Sequence, residues 1–343
     1  MSDASHSHFR PPAGHWHPRA GRVAGLGWAA AVAIALITTW VPLPMGAPAA
    51  ALRALRPLPP DLEARMARAE ATARRGQDLL RQAKIDAFGA GAVSDPSGLI
   101  GQDVTPLVTT LGSLEAKRLS TNPAWAAVLA ERLAAEGVGA GTVVAASLSG
   151  SFPGLNLALA AACQALDARL IAVSSVTAST WGANEPGFTW PEMEARLVDA
   201  GVLARVSIAV TAGGSADLAD DLPDDGRSLA HGIRDAIALR LGAEALRPAG
   251  FEEAVSGRLR SYRRAAAGAP IGLYVNVGGA DASMGRSPAI LGLGAGIVRA
   301  GRIAGSPRGG VTARFLDERV PVLMLLNVRE LAVLWGVPLS GRR

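Results

Sequence analysis

From residue 122 onward, stretches with apolar residues at helical spacing alternate with short runs of β-branched and small apolar residues, and no other feature constrains the fold as much. Strands that alternate with helices run parallel, because each helix carries the chain back to the starting edge for the next strand. Asn122-Pro123 opens one helix and Gly137 closes it, and Thr142 to Leu148 follows as a buried strand. Ser149 to Pro153 turns the chain into a helix from Gly154 to Leu166, and Arg169 to Ser174 is the next strand. Thr189-Trp190-Pro191-Glu192 has the spacing of a capping box for a helix reaching Ala200, ahead of a strand from Arg205 to Thr211. Helices at 228–240 and 251–266, a strand from Ile271 to Val277 and a strand-helix pair between Val320 and Trp335 complete the series. The expectation is a Rossmann-like α/β domain, a mostly parallel sheet flanked by helices, with its strand order left open.

The N-terminal part is of a different character. Val23 to Val41 holds nineteen consecutive uncharged residues with Trp28 and Trp40 towards its ends, which is the length and dressing of a membrane-spanning helix. Arg10, Arg19 and Arg22 precede it and no charge follows until Arg53, so the positive-inside bias keeps the N-terminus in the cytoplasm and sends the rest outside. The expected organisation is a disordered cytoplasmic leader over 1–22, a transmembrane helix over 23–41, a Pro/Ala-rich linker over 42–60 and an extracytoplasmic α/β domain over 61–343. The alternative at this end is a cleaved signal peptide, with Ala49-Ala50-Ala51 as the processing site. Within the domain, Asp61 to about Phe88 forms an amphipathic helix that packs on the domain or stands as a stalk.

Composition excludes several classes of function. With 49% hydrophobic and 18% charged residues the chain has enough apolar surface for a core, and an aromatic share of 4% leaves little for stacking on bases, so nucleic acid is not expected as a partner. His6, His8, His15 and His17 belong to the leader, which reads as a disordered tail rather than a metal site, and the lone Cys163 permits no internal disulfide. Neither a P-loop nor a G-x-G-x-x-G fingerprint occurs in the strand-end loops, so no nucleotide cofactor is expected.

Ligands of open α/β sheets bind beyond the carboxyl ends of the strands, and three loops there have unusual composition. Ser147-Leu148-Ser149-Gly150-Ser151-Phe152-Pro153-Gly154-Leu155-Asn156 places hydroxyls and glycine at a helix start, as an anion site or as a capped turn. Thr211-Ala212-Gly213-Gly214-Ser215-Ala216-Asp217 and Asn276-Val277-Gly278-Gly279-Ala280-Asp281 each end a strand in a glycine pair followed by an acid, which allows close backbone approach to a ligand with a carboxylate nearby. Of the 34 Lys and Arg residues only Lys84 and Lys117 are lysine, and an ammonium can lose its proton for catalysis where a guanidinium cannot. The candidate catalytic residues are therefore Ser149, Ser151, Lys117 and Asp217, with His231 the one histidine able to serve a triad. The candidate binding residues are Gly150, Asn156, Trp181, Asn184, Gly213, Gly214, Asn276, Gly278, Gly279 and Asp281.

Thr109-Thr110-Leu111-Gly112-Ser113-Leu114-Glu115-Ala116-Lys117, Ser-Gly-Ser-Phe-Pro-Gly-Leu-Asn at 149–156, Trp-Gly-Ala-Asn at 181–184 with Phe-Thr-Trp-Pro-Glu-Met-Glu at 188–194, and Asn-Val-Gly-Gly at 276–279 occur in this order. Taken together, over about residues 61–340, the chain resembles the poly-γ-glutamate system protein family. The resemblance implies a membrane-anchored protein working beside the synthase subunits that make a capsular or secreted poly-γ-glutamate. It implies no established catalytic residues. The polymer carries one free α-carboxylate per residue, which an Arg-rich domain of net charge about +3 (the chain's +5 less the +2 before Pro42) with N–H-lined loops suits as a ligand. Two readings follow: an accessory protein that binds the polymer or the synthase at the outer face, or an exported serine-type hydrolase or transferase acting on γ-glutamyl amide bonds.

Overall fold

The computed structural model describes residues 60–204, 206–300 and 309–339. The apolar span at 23–41, the leader before it and linker residues 42–59 lie outside the described residues, as does Arg205. Among the described residues no helix is long and apolar enough to cross a membrane.

Helix α1 (Pro60–Phe88) leads into strand β1 (Val108–Thr110), the short α2 (Leu114–Ser120), α3 (Ala124–Ala135), β2 (Val143–Leu148), α4 (Pro153–Ala165), β3 (Arg169–Ser175) and β4 (Ala178–Ser179). Then come α5 (Trp190–Asp199), β5 (Ser207–Thr211), α6 (Asp224–Leu241), β6 (Glu244–Ala245), α7 (Phe251–Ala266) and β7 (Ile271–Val277). Two single-turn helices, α8 (Asp281–Met284) and α9 (Pro288–Leu291), precede β8 (Gly296–Val298), α10 (Gly310–Asp317), β9 (Val322–Leu325) and α11 (Val328–Trp335).

The main sheet has the order β6-β5-β3-β2-β7-β9-β8, parallel except for the antiparallel edge strand β8, and β1 and β4 form a separate parallel pair. The mostly parallel sheet read from the sequence is therefore present. Strand order runs outward in one direction from β2 to β6, and the chain then returns through α7 to lay β7 on the other side of β2. This reversal puts the topological switch point between β2 and β7, where an open α/β sheet leaves a crevice at its carboxyl edge.

Both faces of the sheet are apolar and both are covered. Val144, Ala146, Leu148, Leu170, Ala172, Val275 and Val277 share one cluster with residues of α1, α3, α4 and α11, and Val143, Ala145, Ile171, Tyr274 and Met324 on the other face pack with Leu259 and Tyr262 of α7 and Phe315 of α10. The period of two along each strand produces this division, and burial on both faces explains why the strands read as near-continuous apolar runs. Helix α4 is buried from Pro153 through Cys163 because it lies between the sheet and α1. Ala-rich sequence lets the helices approach closely, as at Gly76 of α1, where an added Cβ would come within 3.0 Å of Leu157.

Of the two options for the helix after Asp61, packing is the one observed. Ala69, Ala73 and Leu80 are fully buried, and Arg65 donates to the Ala165 carbonyl at 2.9 Å and pairs with Asp167 at 2.7 Å. The capping box at Thr189 and Glu192 forms as expected, with the Glu192 carboxylate accepting from the Thr189 backbone N–H at 2.9 Å.

Candidate functional site

The loops leaving β2, β3, β5 and β7 open onto one cleft of about 460 Å³ beyond the carboxyl edge of the sheet. Its remaining side comes from the chain before the sheet begins. Parallel pairing of β1 with β4, in which Thr110 lies beside Ser179, carries Gly112 and α2 over the strand ends, and α2 delivers Lys117. Hydroxyls dominate the lining: Ser149 and Ser151 follow β2, and Ser175, Thr177 and Ser179 follow one another at every second residue out of β3. All three reach the cleft, although the chain bends at Val176 between β3 and β4.

Lys117 is 2% exposed, and its Nζ donates to the Ser179 Oγ at 2.7 Å and to the Ser151 main-chain carbonyl. The Phe152 ring lies 3.9 Å from the same nitrogen, centroid to Nζ. Among the described residues no carboxylate pairs with it, and burial lowers its pKa to about 7. A neutral amine and an ammonium are thus both populated near neutral pH, the condition for a lysine to move a proton or to respond to an arriving anion. Thr177 Oγ1, on the cleft wall, is buried without a hydrogen-bond partner. The cleft wall thus holds an orphaned hydroxyl, packed against Gly213, and a cation without a counter-charge.

The structure separates the sequence candidates. Ser149, Ser151, Lys117, Gly214, Gly279 and Asp281 line the cleft. Ser151, however, meets Lys117 through its carbonyl, while its Oγ accepts from the Ser179 backbone N–H at 3.0 Å, and Ser149 Oγ accepts from the Ser151 N–H at 3.1 Å. The hydroxyl facing Lys117 belongs to Ser179. Gly278 has φ +88°, and a Cβ there would lie 2.7 Å from the Ser149 Cβ, so glycine brings β7 and β2 together at the crevice. At Gly213, with φ +84°, a Cβ would come within 2.3 Å of Thr177 Oγ1.

Other candidates stand behind the cleft. Asn156 and Asn276 are fully buried and donate to the Ser149 and Gly278 carbonyls, both at 2.8 Å, so they hold the two switch-point loops rather than reach into the cleft. Gly150 packs against the Thr177 carbonyl and accepts from the Ala183 N–H at 2.8 Å. Trp181 bonds through its backbone to Gln102, and the Asn184 side chain clasps Gln102 from both sides, at 3.0 Å and 2.7 Å, which ties down the segment after α1.

Asp217 does not act as an acid open to the cleft. It is 1% exposed and held in a bidentate ion pair with Arg258, at 2.6 Å and 2.7 Å, beneath the sheet edge. Arg258 also donates to Ser147 Oγ at 3.0 Å, where Tyr274 donates at 2.7 Å, and burial pushes the Tyr262 phenol in the same network up to about 12. Asp281 pairs with Arg286 at 2.6 Å and accepts from the Ala216 N–H at 2.8 Å, fastening the β7 loop to the β5 loop. His231 sits on α6 with Nε2 3.0 Å from the Leu218 carbonyl and does not line the cleft, so no serine–histidine arrangement forms there.

At the 149–156 helix start, read as an anion site or as a capped turn, Gly154 is buried and a Cβ on it would come within 2.4 Å of the Ser120 carbonyl, so α2 packs against the first turn of α4. Positive charge enters the cleft from Lys117. Against family models, curated proteins and solved structures the chain finds no match.

Proposed function

We propose that the chain is a membrane-anchored accessory component of a poly-γ-glutamate synthesis and export system, and that its cleft binds a segment of the polymer at the outer face of the membrane. The anchor in this reading is the uncharged span from Val23 to Val41. One observation carries the binding role: Lys117, buried and unpaired with any carboxylate among the described residues, stands in a cleft walled by hydroxyls. A γ-linked polyglutamate presents an α-carboxylate and an amide in each residue. The carboxylate offers Lys117 the counter-charge it lacks, and the serine and threonine hydroxyls can donate to carboxylate oxygens and accept from amide N–H groups. Loading the cleft with an anion raises the pKa of Lys117 and favours its charged form.

The test is a titration of the full chain with poly-γ-glutamate of defined length, followed by calorimetry. Binding strengthens as pH falls through about 7, the region where Lys117 takes up its proton, and weakens with added salt. Lys117→Met lowers the affinity at pH 6 by about ten- to a hundredfold, the worth of one charge-assisted hydrogen bond of about 1.5–3 kcal/mol. Absence of binding, or binding indifferent to both pH and the substitution, overturns the proposal.

A further inference from the structure

The geometry points to Ser179 and Lys117 as a serine–lysine pair for acyl transfer, with Ser179 Oγ as the nucleophile towards an amide or ester carbonyl held in the cleft. The inference rests on the cleft accepting a polyamide chain and adds a reaction to it, in the fraction of the protein where an amide carbonyl, rather than a carboxylate, lies next to a neutral Lys117. Four features of the pair support it. The Nζ–Oγ distance of 2.7 Å is within reach for direct proton transfer. Both residues are buried, at 2% and 6% exposure, yet both are on the cleft wall, so the pair is shielded from bulk solvent and still reachable. The other neighbours of Nζ are a carbonyl and an aromatic ring, which do not fix the proton on nitrogen as a carboxylate would.

The fourth feature is positioning. Ser179 is held by its N–H on Ser151 Oγ at 3.0 Å and by strand pairing beside Thr110. Gly112 leaves the room the pair needs, since a Cβ at that position would stand 3.0 Å from Ser179 Oγ and 3.1 Å from Lys117 Cε.

The chemistry balances within the pair. Neutral Nζ takes the Ser179 hydroxyl proton as the Oγ–C bond forms and the carbonyl π electrons move to oxygen. Collapse of that adduct breaks the C–N or C–O bond, and the leaving amine or alcohol departs with the proton from Nζ. In the second half water gives a proton to Nζ and adds to the acyl carbon, the C–Oγ bond breaks and Oγ regains its proton, releasing a carboxylic acid. An amine in place of water gives transfer instead of hydrolysis. No oxidant, reductant or metal enters the sequence. The low pKa of Lys117 supplies the neutral amine that the first step requires.

The full chain treated with a fluorophosphonate, whose fluoride leaves as the serine oxygen bonds to phosphorus, reports the pair directly. Peptide mapping is expected to find the label on Ser179, with a rate that rises about tenfold per pH unit below about 7 and levels above it. Ser179→Ala abolishes labelling, and Lys117→Met slows it by about a hundredfold or more, the usual worth of a general base. If that variant fails to fold, the labelled position and the wild-type pH profile still decide. No label, a label on another serine, or a rate that ignores pH overturns the pair. Polymer binding measured alongside has the opposite pH dependence: binding without Ser179 labelling sinks the pair and leaves the polymer-binding role intact, whereas labelling without binding supports the pair and sinks that role.

Discussion

Lys84 and Lys117 are the two lysines of the chain, and both are buried. Lys84 on α1 is given a partner, the Glu185 carboxylate, together with the Ile100 carbonyl at 2.7 Å. Lys117 is given two neutral oxygens, so the cost of desolvating its charge is left standing. That cost has a sign in stability. With a folded pKa of about 7 against 10.5 for the free side chain, the unfolded chain binds more protons between these values, so stability rises with pH across that window, by at most about 1.4 kcal/mol per unit. Lys117→Met removes this slope: urea unfolding shows the variant more stable than the parent below pH 7, with the gap shrinking towards pH 10. A variant whose stability tracks the parent at every pH contradicts an unpaired buried amine. That Lys117 mattered was legible from its rarity, whereas its partner was not, because the β1–β4 pairing that sets Ser179 opposite it joins segments about seventy residues apart and has no local signature.

At the scale of elements, the longer helices and the central strands were legible, the short helices α2, α8, α9 and α10 were not, and the loops only half so. Strand Ile271–Val277 and helix Phe251–Ala266 fall at the expected residues, and β2, β3 and α4 differ from expectation by a single residue at their ends, because caps, apolar period and turn glycines agree there. The antiparallel edge strand β8 and the β1–β4 pair escaped, being too short to show a period. Ser175, Thr177 and Ser179 did carry a signal, hydroxyls at every second position, and this alternation is what could have singled out Ser179. Asp217 shows the reverse error: an acid after a glycine pair looks open to ligand, but α7 brings Arg258 beneath the sheet edge to meet it. Arg258→Met alone is expected to cost about 3–5 kcal/mol in chemical denaturation, because it strands a buried carboxylate, and adding Asp217→Leu recovers part of the loss. Additive losses in the pair would contradict a coupled buried bridge.

For the whole molecule, the polymer-binding role needs the folded body on the far side of a membrane. An alkaline phosphatase fused after Arg343, active only outside the cytoplasm, is expected to be active, and a fluorescent protein that matures only in the cytoplasm is expected to stay dark when fused there. The opposite pattern removes the setting for an exported ligand. The sequence by itself determined the class of fold, since helix and strand periods are local and a chain buried on both faces of its strands has few other ways to cover them. It also determined which loops to examine, because strand ends are local features too. Strand order, the reversal between β2 and β7, the packing of α2 against the first turn of α4 and the meeting of Lys117 with Ser179 were decided only by tertiary structure. Each depends on contacts between residues distant in the chain, where the free energy of packing and desolvation is shared across many partners and no single stretch of sequence encodes it.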